Sequence, residues 1–297
     1  MKKPNFFIIG APKCGTTSLA MWLSEHPNIF MCPIKEPHFF NVDGLRRIKS
    51  LKQYEKLFAK AGPEHLAVGE ASTHYLYSKE AVPRILEYQP EAKFIVCIRN
   101  PIEMAPSLHA QRIFTGAETV KDFEKAWRLQ EERKKGKYIP RTIKKDPERL
   151  QYGAYCRLGK QLERLYKIVS KEKVLVLVLD DIAENPKREY QKVLSFLGVP
   201  DDGRDNFPVY NPRKVVRSVF LAYTMRLLRN TFSEIKQIIG LNKEFKIDSW
   251  MRHKLNKKSY KVEPLSPEMK KELCNYFKDD IELLEKLLNR DFSHWLL

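Results

Sequence analysis

A glycine-spaced turn near the start of the chain limits the available folds more than any other feature. The stretch FFIIGAPKCGTTSLAMWL joins an apolar run to a helical pattern, and Gly10 and Gly15 have the G-x-x-x-x-G spacing of a phosphate-binding loop. Such a turn presents backbone N–H groups and the positive end of a helix to an anion. It predicts a phosphate-bearing ligand; an ordinary strand-to-helix turn with a capping threonine is the alternative.

The loop differs from that of nucleotide triphosphatases in the position of its lysine. Thr16 follows the second glycine, where those proteins have lysine, and the single lysine, Lys13, lies inside the loop. Thr16, Thr17 and Ser18 add hydroxyl donors in the first helical turn. Because no aspartate obviously ends a strand as a magnesium ligand, the pattern disfavours a metal-dependent triphosphatase, and no metal is expected.

The alternation of apolar runs with helical patterns predicts the fold class. Helical patterns separate the runs, which are rich in β-branched residues as in buried parallel strands. We therefore predict a P-loop-like three-layer α/β/α fold with a central parallel sheet of four to five strands, whose ligands bind at the carboxyl ends of the strands. The predicted strands are Phe6 to Ile9, Leu66 to Val68, Phe94 to Ile98 and Val174 to Leu179, and the helices are Thr16 to Ser24, Ala81 to Tyr88 and Leu158 to Val169.

Two basic segments fit the sheet poorly. Residues 113–150 and 213–264 are rich in Lys and Arg, and we predict helical, lid-like insertions within a single domain, 1–297. A solvated surface is the alternative. Near the C-terminus Ile281, Leu284 and Leu288 share one face, which predicts a packed terminal helix.

Composition limits the partners and the compartment. The net charge of +17 implies an anionic partner: a nucleic acid, a membrane surface, an acidic polymer or a polyphosphorylated cofactor. The five cysteines contain no C-x-x-C pair, which argues against a disulfide framework and a zinc site. No apolar run approaches the ~20 residues of a membrane span, and the first residues lack the pattern of a signal peptide. A cytoplasmic location without stable membrane insertion is expected.

A second anion motif follows the strand KFIVCI. Arg99 ends that strand, and Ser107 follows past two prolines, at the start of the next helix. An arginine at the carboxyl end of a central strand faces the ligand crevice, and its planar fork binds phosphate bidentately.

The stretch PKCGTTSL resembles the 5′-phosphosulfate loop of the sulfotransferases that depend on 3′-phosphoadenosine 5′-phosphosulfate. Within that family it is similar to bacterial-type enzymes related to the glycan and small-molecule sulfotransferases. The resemblance implies that this nucleotide is the donor. It also implies that Lys13 contacts the bridging region or the sulfonate oxygens. The residues expected to hold the 5′-phosphate are Cys14, Gly15, Thr16, Thr17 and Ser18.

The resemblance extends from Pro4 to about Pro200 and to the terminal helix. Arg99 and Ser107 resemble the family's 3′-phosphate site. Arg213 and Arg217 lie in a region where the family often closes over the donor, and they are further expected donor ligands.

The general base is expected in CPIKEPHFFN, which is similar to the KE-x-HFF segment of glycan-modifying and bacterial sulfotransferases. The resemblance implies that Glu36 is the base, while His38 shares that role or positions Lys35 and Glu36. The flanking prolines and phenylalanines indicate a partly buried loop, where desolvation would raise the pKa of the carboxyl. A surface glutamate beside Lys35 is the alternative.

His74 is the second candidate base. It lies in VGEASTHYLYS, four residues after Glu70, in a segment similar to the family's GE-x-[ST]-P-x-Y pattern, except that His74 is expected to replace the usual proline. Histidine is the base in the cytosolic branch of sulfotransferases, and an imidazole titrates near neutral pH. A histidine in an ordinary turn is the alternative.

We therefore expect a sulfotransferase that moves a sulfonyl group to a hydroxyl or amine of a small-molecule, lipid, acyl or glycan acceptor, free or carrier-bound, and that binds no nucleic acid. A nucleotide or metabolite kinase with a divergent loop is one alternative. A basic polyanion-binding protein, supported only by charge, is the other, since no nucleic-acid reader motif is present. The acceptor and the oligomeric state are left open.

Overall fold

The computed structural model describes residues 2–44, 48–210, 218–228 and 264–297. The chain divides into two compact units. The first unit comprises Met1–Pro101, Arg157–Asn211 and Lys278–Leu297, and the second comprises Ile102–Cys156 and Pro212–Phe277. The single domain over residues 1–297 stays a prediction.

The first unit is built on a parallel sheet of five strands, in the order β2-β3-β1-β4-β5. This confirms the predicted α/β class and the predicted number of strands. The strands are β1 (Phe6–Gly10), β2 (Ile29–Met31), β3 (Ala67–Ala71), β4 (Lys93–Ile98) and β5 (Val174–Val178).

The centre of the sheet is apolar because β1 and β4 are covered on both faces. Phe6 to Ile9 and Phe94 to Ile98 are buried throughout, and the rings of Phe7 and Phe94 stack with centroids 6.1 Å apart. Continuous apolar runs are typical of parallel strands with two covered faces. This explains why these two strands were predictable from the sequence.

The edge of the sheet differs from the prediction. Strand β2 was missed because only three residues form it. Strand β3 runs to Ala71 rather than ending at Val68, so it includes Gly69 and Glu70, whose residue types obscured the strand. Gly69 pairs with Phe6, and a Cβ there would lie 2.1 Å from Phe6 Cζ, so the ring of Phe6 occupies the space of a side chain.

Helices connect the strands of the first unit. The predicted helices Thr16–Ser24 and Ala81–Tyr88 have the bounds that the sequence predicted. The helix that begins at Leu158 ends at Tyr166, three residues before the predicted Val169. Leu179 begins a helix rather than ending β5. The helices are α1 (Thr16–Ser24), α2 (Leu51–Lys56), α3 (Ala81–Tyr88), α8 (Leu158–Tyr166), α9 (Leu179–Glu184) and α10 (Pro186–Leu197).

The second unit is helical in its described residues. Trp127, Tyr276 and Phe277 pack together, with ring centroids 5.0 to 5.9 Å apart. Its helices are α4 (Pro101–Phe114), which begins at the unit boundary, α5 (Phe123–Arg128), α6 (Gln130–Lys134) and α7 (Tyr152–Cys156), with 3-10 turns at Arg141–Ile143 and Pro147–Leu150 and a helical segment at 219–228.

The C-terminal helix, Pro267–Leu288, confirms the predicted terminal helix. The predicted insertion 113–150 lies in the second unit, and most of 213–264 lies outside the described residues. A lid role for both stays a prediction. Within the described ranges, no helix combines the length and the apolar character needed to cross a bilayer.

The strand order creates a ligand crevice in the first unit. From β1 at the centre, the chain forms β2 and β3 on one side and β4 and β5 on the other. In such sheets the crevice lies beyond the carboxyl ends of the strands where the order reverses. The turn from Gly10 to Gly15 follows β1, and Arg99 follows β4, so the two anion motifs begin at adjacent strand ends.

Candidate active site

The donor loop, Gly10 to Ser18, is held in one conformation by its backbone. The N–H of Ala11 donates to the carbonyl of Cys97 at 2.7 Å, which extends the pairing of β1 with β4. Lys13 and Gly15 have φ of 70° and 83°, and α1 begins at Thr16. A Cβ at Gly15 would lie 2.9 Å from Leu179 Cδ1. The loop therefore delivers the chain to the start of α1, whose first N–H groups form a cradle for an anion.

The hydroxyls of the donor loop have different partners. Thr17 Oγ1 accepts a hydrogen bond from Lys35 Nζ at 2.7 Å. Ser18 Oγ accepts from the N–H of Tyr210 at 3.0 Å and donates to its carbonyl at 3.4 Å, so this hydroxyl anchors the segment that ends at Tyr210. Trp22 Nε1 supports the same segment by donating to the carbonyl of Pro208 at 3.0 Å. The 5′-phosphate contacts of Cys14 to Ser18 stay a prediction, and for Ser18 the structure favours its amide over its hydroxyl.

The base loop, Lys35 to His38, is fastened to the end of β3. Glu36 and His38 have positive φ values of 61° and 49°, a left-handed conformation that costs a residue other than glycine about 1 kcal/mol or more. The N–H of Glu36 donates to the carbonyl of Ala71 at 2.9 Å, and the N–H of His38 donates to Ser72 Oγ at 3.1 Å. These bonds hold the strained loop in place.

The Glu36 carboxylate is surrounded by donors. Thr73 donates twice, from its N–H to Oε2 at 3.0 Å and from its hydroxyl to Oε1 at 2.9 Å. His38 Nε2 lies 3.0 Å from Oε2, and Lys35 Nζ lies 3.5 Å from Oε1. Only 28% of the Glu36 side chain is exposed. The arrangement stabilises the charged form of the carboxylate.

The pKa of Glu36 shifts in the direction opposite to our expectation. Burial acts to raise the pKa, as predicted. Three donors outweigh it and lower the pKa to about 2: His38, through its hydrogen bond and charge, then the charge of Lys35 and the N–H of Thr73. The prediction of a raised pKa is therefore wrong, because sequence reasoning counted desolvation and missed the donors. Glu36 is ionised throughout the neutral range.

The two candidate histidines lie side by side. The rings of His38 and His74 have centroids 5.1 Å apart, and both residues are buried. The Nε2 atom of His38 contacts Glu36, whereas its buried Nδ1 has no hydrogen-bond partner among the described residues. The structure thus brings Glu36, His38 and His74 together, as the sequence suggested.

Lys35 connects the two loops. Its ammonium group contacts both Thr17 of the donor loop and Glu36 of the base loop. The sequence placed Lys35 beside Glu36 but gave it no role of its own, because the contact with Thr17 joins residues that are far apart in the chain. A fixed positive charge therefore lies between the anion cradle and the ionised carboxylate.

A buried carboxylate that was not predicted as a site residue supports the base loop. Glu70 is fully buried, and burial raises its pKa. Its oxygens accept from the hydroxyls of Tyr54 at 2.5 Å and Ser72 at 2.6 Å. Ser72 also accepts from the N–H of His38. The available signal was an acidic residue inside a buried strand, which requires partners.

Thr73 marks a departure from the family pattern. When GE-x-[ST]-P-x-Y is placed on Gly69, Glu70, Ser72 and Tyr75, its proline falls at Thr73, so the expectation that His74 replaces the proline is wrong. Proline has neither an N–H nor a hydroxyl. The two hydrogen bonds from Thr73 to Glu36 are therefore not possible for a chain that follows the pattern.

The remaining predicted ligands belong to other segments of the chain. Arg99 is half-buried and follows β4, next to Asn100, whose Nδ2 donates to the carbonyl of Trp295 at 3.2 Å. Ser107 is buried in α4 and belongs to the second unit. Arg213 and Arg217 lie outside the described residues. In the part of the chain that is described, no group of three or more His, Cys, Asp or Glu residues is arranged to hold a metal ion.

Comparison with known proteins adds a family. Residues 3–287 match the sulfotransferase domain. Carbohydrate sulfotransferase 15 of Mus musculus is 29% identical over 251 residues, which cover 66% of this chain and 44% of the relative. Human heparan sulfate glucosamine 3-O-sulfotransferase 6 is 33% identical over 110 residues, 37% of this chain and 31% of the relative. The chain thus spans less than half the length of these curated relatives.

Solved structures agree with this. The sulfotransferase from Alicyclobacillus acidocaldarius is 26% identical, with a TM-score of 0.72, and the match covers 99% of both chains. A mouse sulfotransferase, SULT7A1, was solved as a complex with PAP and has a TM-score of 0.50 at 14% identity. The match covers 97% of this chain and 90% of that one, and at this identity it shows similarity of fold alone. The fold is therefore the P-loop-like α/β fold predicted from the sequence.

Proposed function

Since the chain belongs to the sulfotransferase family, we propose that it transfers a sulfonyl group from 3′-phosphoadenosine 5′-phosphosulfate to a hydroxyl of a carbohydrate. The observation that carries the proposal is the continuous contact from Thr17 of the donor loop through Lys35 to the ionised Glu36. A cradle for an anion and a proton acceptor thus lie on either side of one ammonium group.

The donor loop fits a 5′-phosphosulfate. Its N–H groups at the start of α1 suit a close approach by phosphate oxygens, and Gly15 adopts the positive φ that leads the chain into that helix. Lys13 and Lys35 add positive charge for the departing 5′-phosphate. Arg99, at the end of the adjacent strand, would hold the 3′-phosphate, and Ser107, Arg213 and Arg217 are further ligands expected from the family resemblance.

Glu36 would accept the proton of the acceptor. In the proposed step the acceptor oxygen forms a bond to sulfur, the bond from sulfur to the 5′-phosphate oxygen breaks, and the hydroxyl proton moves to the Glu36 carboxylate. A carboxylate with a pKa of about 2 is a weak base. Proton transfer must therefore accompany formation of the bond to sulfur, which makes the hydroxyl acidic. His38, Lys35 and Thr73 would position the carboxylate.

A carbohydrate acceptor is proposed because the curated relatives are named for carbohydrate and heparan sulfate substrates. The net charge of +17 fits an acidic glycan. A cytoplasmic location, also expected from the sequence, stays a prediction.

Binding of 3′-phosphoadenosine 5′-phosphate tests the donor site. We expect Lys13→Ala and Arg99→Ala to weaken binding at least tenfold in calorimetric titration, since each removes a charged contact to a phosphate. Lys52→Ala and Arg84→Ala are matched controls, because both residues are exposed in the same unit. Equal affinity of all four variants and the unaltered protein would contradict the proposal.

Turnover tests the reaction. With labelled donor we expect transfer to hydroxyls in a panel of acidic and neutral oligosaccharides, without added metal. Magnesium-dependent turnover of ATP would instead indicate a kinase. Steeply salt-dependent binding to DNA without nucleotide binding would indicate a polyanion-binding protein.

A further inference from the structure

The second unit contains a buried group of basic residues that the proposed reaction does not use. The arginine cluster consists of the buried Arg112 and Arg149 and the half-buried Arg226, whose charges all act on the carboxylate of Asp146. Arg112 and Arg149 are only 2% and 7% exposed. Burial and, next, the charge of Arg149 lower the pKa of Arg112 to about 10, so the two groups lie within each other's field and Arg112 is still protonated at neutral pH.

The donors of the cluster are unmatched. Among the described residues, the buried Nε and Nη2 atoms of Arg112 and the buried Nε of Arg149 have no hydrogen-bond partner. Arg149 Nε lies 3.4 Å from Asp146 Oδ2, but neither atom makes a hydrogen bond. A buried charged donor without an acceptor is among the most costly features in a protein.

A buried pair in the same unit shows how a carboxylate neutralises an arginine, although Arg133 Nε also has no hydrogen-bond partner among the described residues. Arg133 donates to both oxygens of Glu118, from Nη1 at 2.7 Å and from Nη2 at 2.9 Å. Tyr152 adds a third hydrogen bond to the same carboxylate at 2.7 Å. That pair has one carboxylate for one guanidinium, whereas among the described residues the three guanidinium groups of the arginine cluster share Asp146, with the exposed Glu148 also in its field.

The other contacts of the cluster supply no negative charge. Arg226 donates to the carbonyls of Thr142 at 3.3 Å and Thr115 at 3.2 Å, which fixes its guanidinium. The Arg112 guanidinium lies 5.7 Å from the ring centre of Tyr155. Neither a carbonyl nor an aromatic ring supplies the missing negative charge.

We propose that the arginine cluster binds a small oxyanion of the sulfate or phosphate type. Planar guanidinium forks match the paired oxygens of such an anion, and a dianion would balance the surplus charge of the three arginines over Asp146. The anion would accept the unmatched N–H groups of Arg112 and Arg149. This site is separate from the donor loop, and the proposal does not depend on the proposed function.

Thermal unfolding in sodium sulfate and in sodium chloride of equal ionic strength tests the proposal. Occupation of a site in the folded state raises Tm with a saturable dependence on anion concentration. We expect several degrees of saturable stabilisation by sulfate, with 3′-phosphoadenosine 5′-phosphate present throughout to occupy the donor loop. Arg112→Met should lose this response, because it removes the two unmatched donors of Arg112 while keeping an unbranched, flexible side chain in the core.

The matched control is Arg128→Met, which changes an arginine whose side chain is 62% exposed in the same unit. It should respond to sulfate as the unaltered protein does, including any general stabilisation by sulfate. If Arg112→Met does not fold, Arg149→Met and direct calorimetric titration of the unaltered protein with sulfate replace it. A sulfate response that is equal in all variants, or equal to that of chloride, would overturn the proposal.

The anion has two possible sources, free in solution or as a group on an acceptor, and binding competition distinguishes them. If a sulfated oligosaccharide supplies the group, inorganic sulfate will displace it from the unaltered protein, and Arg112→Met will bind it more weakly. If the anion is inorganic, Arg112→Met will lose the sulfate response but will bind the oligosaccharide as the unaltered protein does. Either result supports an oxyanion site. If Arg112→Met keeps both the sulfate response and the oligosaccharide affinity of the unaltered protein, the proposal is refuted.

Discussion

The donor loop and the base loop present their chemistry in different ways. The donor loop uses main-chain N–H groups at the start of α1, and its glycines and lysine are adjacent in the sequence. The base loop depends on side chains contributed by other segments, above all Ser72 and Thr73. A site made of backbone is local in sequence, whereas a site made of side-chain contacts is assembled by the fold.

This difference determines how each loop should respond to mutation. Removing one side chain from the donor loop leaves its N–H groups in place, so we expect the largest losses there from a change in backbone conformation. The base loop has a single proton acceptor, and losing it should abolish most turnover. The predictions below test this contrast, from the largest effect to the smallest.

Glu36→Gln should cause the largest loss. The amide cannot accept the acceptor's proton, and general bases contribute about 10²- to 10⁴-fold to rate. We expect kcat to fall by about that factor while the affinity for 3′-phosphoadenosine 5′-phosphate changes little. Turnover of labelled donor and calorimetric titration measure the two quantities. Unchanged kcat would move the base to His38 or His74, which His38→Ala and His74→Ala would then identify.

The fold was largely predictable because its central strands are apolar in sequence. Strands β1, β4 and β5 and helices α1 and α3 have continuous apolar runs or helical periodicity. Strand β2 was missed because it is short, and β3 was predicted too short because Gly69 and Glu70 lie in it. Those two residues are explained only by tertiary contacts, namely the ring of Phe6 and the hydroxyls of Tyr54 and Ser72.

The site was predictable to a different degree in each loop. The donor loop was recognised from its spacing, but the bond between Ser18 and Tyr210 joins segments 192 residues apart, and no local pattern indicates it. In the base loop, Glu36 and His38 were identified, but the pKa of Glu36 was predicted in the wrong direction. That pKa is lowered first by His38, then by Lys35 and by the N–H of Thr73, and no local pattern indicates the contact with Thr73, 37 positions further along the chain.

Ser72→Ala should weaken the base loop without touching the donor loop. It removes the hydroxyl that donates to buried Glu70 and accepts from the N–H of His38. Leaving buried polar groups unmatched costs about 1–3 kcal/mol, which urea unfolding measures. We also expect a lower kcat with unchanged nucleotide affinity. Ser24→Ala, at an exposed helix position, is the control, and equal losses in the two variants would show that Ser72 has no special role.

Gly15→Ala should damage the donor loop through its backbone. At φ 83° a Cβ is disfavoured by about 1–2 kcal/mol, and here it would also lie 2.9 Å from Leu179 Cδ1. Gly198→Ala is the matched control, since Gly198 has φ 72° and nothing within 4 Å of an added Cβ. Both variants should lose stability, and only Gly15→Ala should lose nucleotide affinity. Equal affinities would contradict a backbone cradle at Gly15.

Thr73→Val should have the smallest effect and should depend on pH. Valine keeps the shape and the N–H of Thr73 but loses the hydroxyl bond to Glu36, so the pKa of Glu36 should rise from about 2 toward its ordinary value. A carboxyl with a lowered pKa stabilises the fold above its unfolded pKa and loses that contribution as pH falls through the folded pKa. Thr73→Val should therefore be less stable than the unaltered protein by about 1 kcal/mol at pH 7. Because the unfolded pKa is the same in both proteins, this difference should shrink only as pH falls through the two folded pKa values, from that of the variant down to about 2. Urea unfolding across this range measures it. In a Glu36→Gln background the pH dependence of this stability difference should disappear. If it persists there, the hydroxyl of Thr73 acts on another ionisable group, and the donors around Glu36 do not determine the pH dependence of the base loop.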